Sequence, residues 1–147
     1  LGAVPQKMSF SEVYQALQSG TIQGQENTYS NIYGKKFFEV QPYITESNHG
    51  VLDYLVVTSL EFWMELDEEL RTEVKKALDE AILFGNDIAG KKATADRQLI
   101  IDSKRSEVIQ LTAAERQQWV DAMKPVWKKF EEEIGTDYIE AAVQSNN

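Results

Sequence analysis

Two short polar segments hold the side chains of this chain that are best suited to binding a small molecule. Gly24-Gln25-Glu26-Asn27 and Ser47-Asn48-His49-Gly50 place amides, a carboxylate and an imidazole in predicted turns. Such side chains are costly to bury unless they form hydrogen bonds. The sequence contains no second cluster of this kind. We therefore predict that these eight residues form half of a binding cleft for a small carboxylate.

Each of these residues also has a purely structural interpretation. His49 is the single histidine of the sequence, and a lone loop histidine commonly satisfies a nearby backbone group. Asn27, next to Glu26, has a residue type that turns favour for its backbone geometry. Phe10 lies on the apolar face of a predicted helix, where it packs in the core by default or lines a cleft. The residues alone leave both interpretations open.

Catalysis is not predicted from this sequence. No serine occupies a nucleophile elbow, and no glycine-rich phosphate loop occurs. One histidine without cysteines does not give the converging ligands that a metal site needs. We therefore expect no catalytic residue, no metal site and no cofactor.

Length and charge restrict the classes of partner. A chain of 147 residues with 42% hydrophobic residues fits a single folded domain. Its formal net charge of −9 disfavours nucleic acid and anionic membrane surfaces. A carboxylate ligand is still possible, because salt screens distant charges beyond about 8 Å and local donors then dominate. No apolar stretch reaches the ~20 residues that a membrane-spanning helix needs. The chain does not start with Met, so we expect a piece of a longer protein.

The hydrophobic pattern predicts an α/β fold in which helices dominate. The capping box Ser9–Glu12 begins a helix that stops at Gly20. The remaining predicted elements are a helix over about 29–40, a buried strand over 51–58, a short helix from Ser59, a strand over 108–111, and C-terminal helices that begin at Thr112 and Thr136.

The longest predicted element is a helix from Asp67 to about Ser103. At 1.5 Å per residue its length is about 55 Å, more than the width of a domain of this size. Gly85 and Gly90 weaken its middle. Such a helix is expected to span two lobes or to pack against something outside this chain.

Several motifs in series resemble one protein family. They are the segments 9–20 (SFSEVYQALQSG), 24–27 (GQEN), 36–41 (KFFEVQ) and 47–50 (SNHG), followed by Phe62-Trp63 and the long helix. In this order and spacing they are similar to the substrate-binding proteins of tripartite ATP-independent periplasmic (TRAP) transporters, the DctP family. The SNHG version is most similar to binders of C4-dicarboxylates.

This resemblance implies the C-terminal portion of a two-lobed periplasmic protein. Within it, 1–50 would be a ligand-lobe segment, 51–105 a crossing strand with the long helix, and 106–147 the C-terminal helices. Such proteins capture an organic acid and deliver it to a TRAP membrane permease. A sialic acid, a keto acid or an aromatic acid is the alternative ligand. A non-catalytic module whose acidic helices dock a partner protein is the alternative class.

The resemblance also implies roles for individual residues. The family's arginine, which clamps the ligand carboxylate, would lie just upstream of Leu1, and none of Arg71, Arg97, Arg105 or Arg116 occupies the matching place. Asn27 would donate to the same carboxylate, Glu26 and His49 would orient the arginine and an ordered water, and Phe10 would line the cleft. The family more often has proline where this chain has Thr28, so we expect a less rigid turn.

The isolated 147-residue chain is expected to bind dicarboxylates weakly or not at all, because it lacks the clamping arginine. Isothermal titration with succinate, malate and fumarate measures this directly. Sub-micromolar binding by the isolated chain would contradict the assignment of the arginine to a region outside it.

Overall fold

The computed structural model of the chain describes residues 2–145. This part of the chain contains seven α-helices and one two-stranded sheet. The helices are α1 (Val13–Gln18), α2 (Tyr29–Gly34), α3 (Leu60–Glu65), α4 (Glu68–Ser103), α5 (Ala113–Lys129), α6 (Glu131–Ile134) and α7 (Thr136–Ser145), and the strands are β1 (Tyr43–Glu46) and β2 (Glu107–Gln110).

The first helix begins and ends where its local signals predict. The Ser9 backbone N–H donates to the Glu12 carboxylate at 3.2 Å, and one turn of 3-10 helix over Phe10–Glu12 leads into α1. Gly20 follows α1 with φ +74°, a left-handed conformation that glycine adopts without steric cost. The predicted helix and its stop are confirmed.

The continuous helix predicted over 29–40 is wrong. α2 ends at Gly34, Lys36 adopts a left-handed conformation with φ 58°, and a separate 3-10 turn covers Phe37–Glu39. The break turns both Phe37 and Phe38 into the interior, where they are buried. Burial of two aromatic rings outweighs the modest cost of one non-glycine residue in the left-handed region.

The core joins the last third of α4 to α2 and the 3-10 turn. Its buried side chains are Leu17, Ile32, Phe37, Phe38 and Ile100, of which Ile100 is fully inaccessible. The Ser106 hydroxyl, just beyond α4, lies 2.8 Å from the Phe38 carbonyl oxygen and 2.6 Å from that of Gln41. These contacts fix the end of α4 against the segment that precedes β1.

The long helix is confirmed. The Asp67 carboxylate accepts from the Leu70 N–H at 2.8 Å, and α4 continues for 36 residues through Gly85 and Gly90. Residues 81–90 are all exposed, including the large apolar side chains of Ile82, Leu83 and Phe84. Within residues 2–145, no helix combines the length and the apolarity needed to cross a membrane.

The buried strand predicted over 51–58 is wrong. This segment has no regular structure and is exposed, with Val51 at 86% and Leu55 at 85%. A strand needs a neighbour for its backbone groups, and the described strands β1 and β2 pair with each other. β2 confirms the strand predicted near Val108, whereas β1 was not predicted.

The described chain divides into two compact units, each made of separated segments. One unit consists of Met8–Ile44 and Val51–Val108 and holds α1 to α4 with the core. The other consists of the remaining described residues and holds α5 to α7. The functional division into 1–50, 51–105 and 106–147 stays a prediction.

Replacing Lys92 by Met should destabilise the fold more than the same change at Lys75. Lys92 Nζ lies 2.6 Å from the carboxylate of Asp96, whose side chain is only 5% exposed. Removing the ammonium leaves this buried carboxylate unpaired, and because Lys92 itself is half exposed we expect a loss of about 1–2 kcal/mol.

The Lys75–Asp79 pair is the matched control, with the same spacing, helix and distance of 2.6 Å but both side chains exposed. Lys75→Met should cost less than about 0.5 kcal/mol. Urea unfolding of the two variants gives the comparison, and equal losses would contradict a special role for the buried carboxylate.

The start of α5 should become less stable in acid. The Glu115 carboxylate accepts from the Thr112 backbone N–H and hydroxyl, both at 2.8 Å, and these bonds lower the pKa of Glu115 below its ordinary value of 4.5. A depressed folded-state pKa gives stability that is present above the unfolded pKa and lost as the pH falls through the folded one. Glu115→Gln should therefore lower the urea midpoint at pH 7, and the difference from wild type should disappear in acid. A difference that is constant with pH would contradict this.

Candidate functional site

The polar segment Gly24–Asn27 is held between α1 and α2 by core residues on both sides. Leu17 on α1 and Ile32 on α2 are buried. Ile22 packs against the same core, and its backbone N–H donates to the Ala16 carbonyl at 3.2 Å. The loop therefore has two fixed ends only a few residues from its polar side chains.

The Asn27 side chain is half-buried and uses only one end of its amide within the protein. Its Oδ1 accepts from the Thr28 backbone N–H at 3.1 Å and from the Asn31 side-chain Nδ2. Its own Nδ2 makes no hydrogen bond to any residue in 2–145. The two N–H donors of this group are therefore available to an acceptor from outside the described chain.

Thr28 supports the same turn in two ways. Its backbone N–H donates to Asn27, and its hydroxyl accepts from the Asn31 backbone N–H at 3.4 Å as the N-cap of α2. Proline at this position has no N–H and no hydroxyl. Thr28 therefore gives the turn two hydrogen bonds that the proline expected from the family resemblance could not form.

The two residues before Asn27 differ in exposure. Glu26 is exposed, whereas Gln25 is half-buried and its Oε1 is inaccessible to solvent. Within residues 2–145 this oxygen has no hydrogen-bond partner. Buried acceptors are rarely left without a donor in folded proteins. Gln25 therefore adds a second unused polar group to the loop.

Phe10 combines core packing with an open surface. Its ring meets the buried Phe37 edge-on, with centroids 5.7 Å apart at 88°, and the Lys35 ammonium lies 5.4 Å from its centroid. The side chain is nevertheless 42% exposed. Both interpretations of Phe10 are compatible with this geometry, and its place in a ligand cleft stays a prediction.

His49 belongs to the other unit, where it contacts Ser47 and Trp119. Its Nδ1 lies 2.7 Å from the Ser47 hydroxyl, and its ring centroid lies 5.8 Å from that of Trp119 on α5. Phe10, Glu26 and Asn27 thus share one unit, and His49 is in the second. That all four residues contact one ligand stays a prediction.

One depression on the described surface is poorly suited to an organic anion. A shallow depression on the first turns of α4 is lined by Thr72 and three glutamates, Glu68, Glu69 and Glu73. Their carboxylates would repel a carboxylate ligand. No group of three or more histidine, aspartate and glutamate side chains in residues 2–145 is arranged to hold a metal ion. A positively charged group does lie near the polar loop: the Arg97 guanidinium is 6.0 Å from the centroid of the Tyr29 ring, at the start of α2.

Comparison with known proteins assigns the family. A model of the bacterial extracellular solute-binding proteins, family 7 (DctP), matches residues 1–133 of this chain. This chain belongs to that family. The resemblance found in the sequence is confirmed, together with the helix-rich α/β fold of these proteins.

Two kinds of relative agree with this assignment. The C4-dicarboxylate-binding periplasmic protein DctP of Shewanella loihica is 61% identical over 144 residues, covering 98% of this chain and 43% of that protein. A crystal structure of a TRAP solute-binding protein from Shewanella oneidensis, with bound succinate, has a TM-score of 0.93 and 60% identity over 99% of this chain and 48% of its own.

A more distant structure carries a related ligand. It is a TRAP solute-binding protein from Pseudomonas aeruginosa with bound L-malate, with a TM-score of 0.82 and 41% identity over 87% of this chain and 45% of its own. This chain therefore spans less than half the length of each of these relatives.

Proposed function

We propose that this chain is the C-terminal part of a periplasmic solute-binding protein that captures a C4-dicarboxylate for a TRAP membrane permease. The protein binds and releases its ligand without chemical change. The proposal rests on membership of the family, on relatives named for or crystallised with C4-dicarboxylates, and on the polar loop between α1 and α2.

The observation that carries the proposal is the unused donor end of the Asn27 amide. Its oxygen accepts from Thr28 and Asn31, so the group presents N–H donors and not an acceptor to a ligand. A carboxylate offers only acceptors, and hydrogen bonds to a charged acceptor are stronger than neutral ones. This arrangement suits an organic anion and does not suit a cation or an amine.

The net charge of −9 opposes the approach of an anionic ligand, and the clamping arginine would offset this repulsion. A dicarboxylate carries two negative charges at neutral pH, and surface carboxylates raise the cost of bringing it close. A planar guanidinium from the part of the protein outside this chain would pair with one carboxylate in a bidentate fashion. Asn27 would then add donors to the same group and fix its orientation.

Asn27→Ala in the full-length protein should weaken binding of succinate by about 10- to 100-fold, as expected for losing a hydrogen bond to a charged group. Asn27→Asp should weaken it further, because a carboxylate replaces the donor. Isothermal titration at pH 7 measures both affinities.

Asn86→Ala is the control, because Asn86 is an exposed amide in the middle of α4. This variant should bind succinate with the affinity of the wild-type protein. An affinity that is unchanged by Asn27→Ala would refute the proposed site and favour a protein-interaction module. Tighter binding of a sialic, keto or aromatic acid than of succinate, malate and fumarate would keep the family role but change the ligand class.

A further inference from the structure

We propose that Asn31 is a positioning residue that holds the Asn27 amide in the orientation selected by the Thr28 backbone N–H. The inference rests on the proposed function, because it assigns a role to a residue behind the proposed ligand contact. Asn31 is half-buried on the first turn of α2, and its side-chain Nδ2 donates to Asn27 Oδ1. Neither the sequence pattern nor the family resemblance singles out this residue.

The direction of this hydrogen bond follows from the backbone. A main-chain N–H can only donate, so the Asn27 atom that lies 3.1 Å from the Thr28 nitrogen must be the amide oxygen. The Asn31 atom that meets the same oxygen must then be its NH2 group. This leaves the Asn27 NH2 group on the opposite side, away from both donors.

The two ends of an amide have almost the same shape but opposite hydrogen-bonding character. If the Asn27 amide were reversed, its NH2 group would face the Thr28 N–H, which is a donor and cannot accept. Its oxygen would then face the carboxylate of the ligand, which offers no proton. The Thr28 N–H therefore selects the binding-competent orientation, and the Asn31 NH2 group adds a second hydrogen bond to the same oxygen that holds it there. Of these two donors, only the one from Asn31 belongs to a replaceable side chain.

The first test uses two substitutions of Asn31 in the full-length protein. Asn31→Ala removes one of two donors and should weaken succinate binding by about threefold to tenfold, the range for one neutral hydrogen bond. Asn31→Asp is nearly the same size but offers an acceptor where a donor is needed, so it should weaken binding more than Asn31→Ala does. Both variants keep the backbone N–H that donates to the Thr28 hydroxyl, so the cap of α2 remains.

The pH profile separates positioning from a general structural effect. Protonated aspartic acid can donate again, so the affinity of Asn31→Asp relative to wild type at the same pH should recover as the pH falls through the pKa of Asp at this position. The affinity of Asn31→Ala relative to wild type should not change with pH. The same relative loss at every pH for Asn31→Asp would overturn the proposal.

A double-mutant cycle shows whether Asn31 acts through Asn27. In an Asn27→Ala background, Asn31→Ala should have no further effect on succinate affinity. A full additional loss in that background would overturn the proposal, because Asn31 would then act independently of the amide. If Asn27→Ala weakens binding but Asn31→Ala does not, the positioning role is wrong and the proposed function stands. If Asn27→Ala has no effect, the proposed function itself fails.

Discussion

The packing of the last third of α4 against α2 is the constraint on which the polar loop depends. Ile100 is fully buried in this contact, together with Ile32 and the two phenylalanines of the 3-10 turn. The loop from Gly24 to Asn27 leaves this core at Ile22 and returns to it at α2. Its polar side chains are therefore held by apolar contacts that are themselves remote in sequence, since α4 reaches the core some seventy residues after the loop.

A carboxamide is useful at such a position only if its orientation is controlled. Protein groups that occupy the oxygen of Asn27 leave the nitrogen for the ligand, and this choice is made by neighbours with no ligand contact of their own in the proposed site. The same loop carries Thr28 where the family resemblance led us to expect proline. Thr28 lacks the fixed backbone angle of proline, and its N–H and hydroxyl supply hydrogen bonds that proline cannot form.

The features predicted most accurately from the sequence are those that depend on residues close together along the chain. The caps at Ser9, Asp67 and Thr112 and the stop at Gly20 were all identified, because capping involves groups three or four residues apart. The helical pattern that follows the cap at Asp67 also predicted α4, which continues for 36 residues through Gly85 and Gly90.

Features set by distant contacts were not predictable in this way. Residues 51–58 have the composition of a strand, but pairing is decided by a partner and not by propensity. The break at Lys36 follows from the burial of Phe37 and Phe38 against α4, which no local pattern indicates. In the site, Asn27 was one of eight polar turn residues singled out by their types, and its role as a donor to the ligand came only from the family resemblance. Asn31 gave no signal at all, because its importance lies in which atom of a neighbour it contacts.

Residues 81–90 of α4 are exposed in the described chain, whereas the helix is anchored in the core near its C-terminal end at Ile100. Ile82 lies 18 residues before Ile100, about 27 Å along the axis at the usual rise per residue. A tilt of about 5° at the core would therefore displace this stretch by roughly 2 Å. For a straight, rigid helix, the angle at which α4 leaves the core around Ile100 therefore determines where the exposed apolar side chains of Ile82, Leu83 and Phe84 lie.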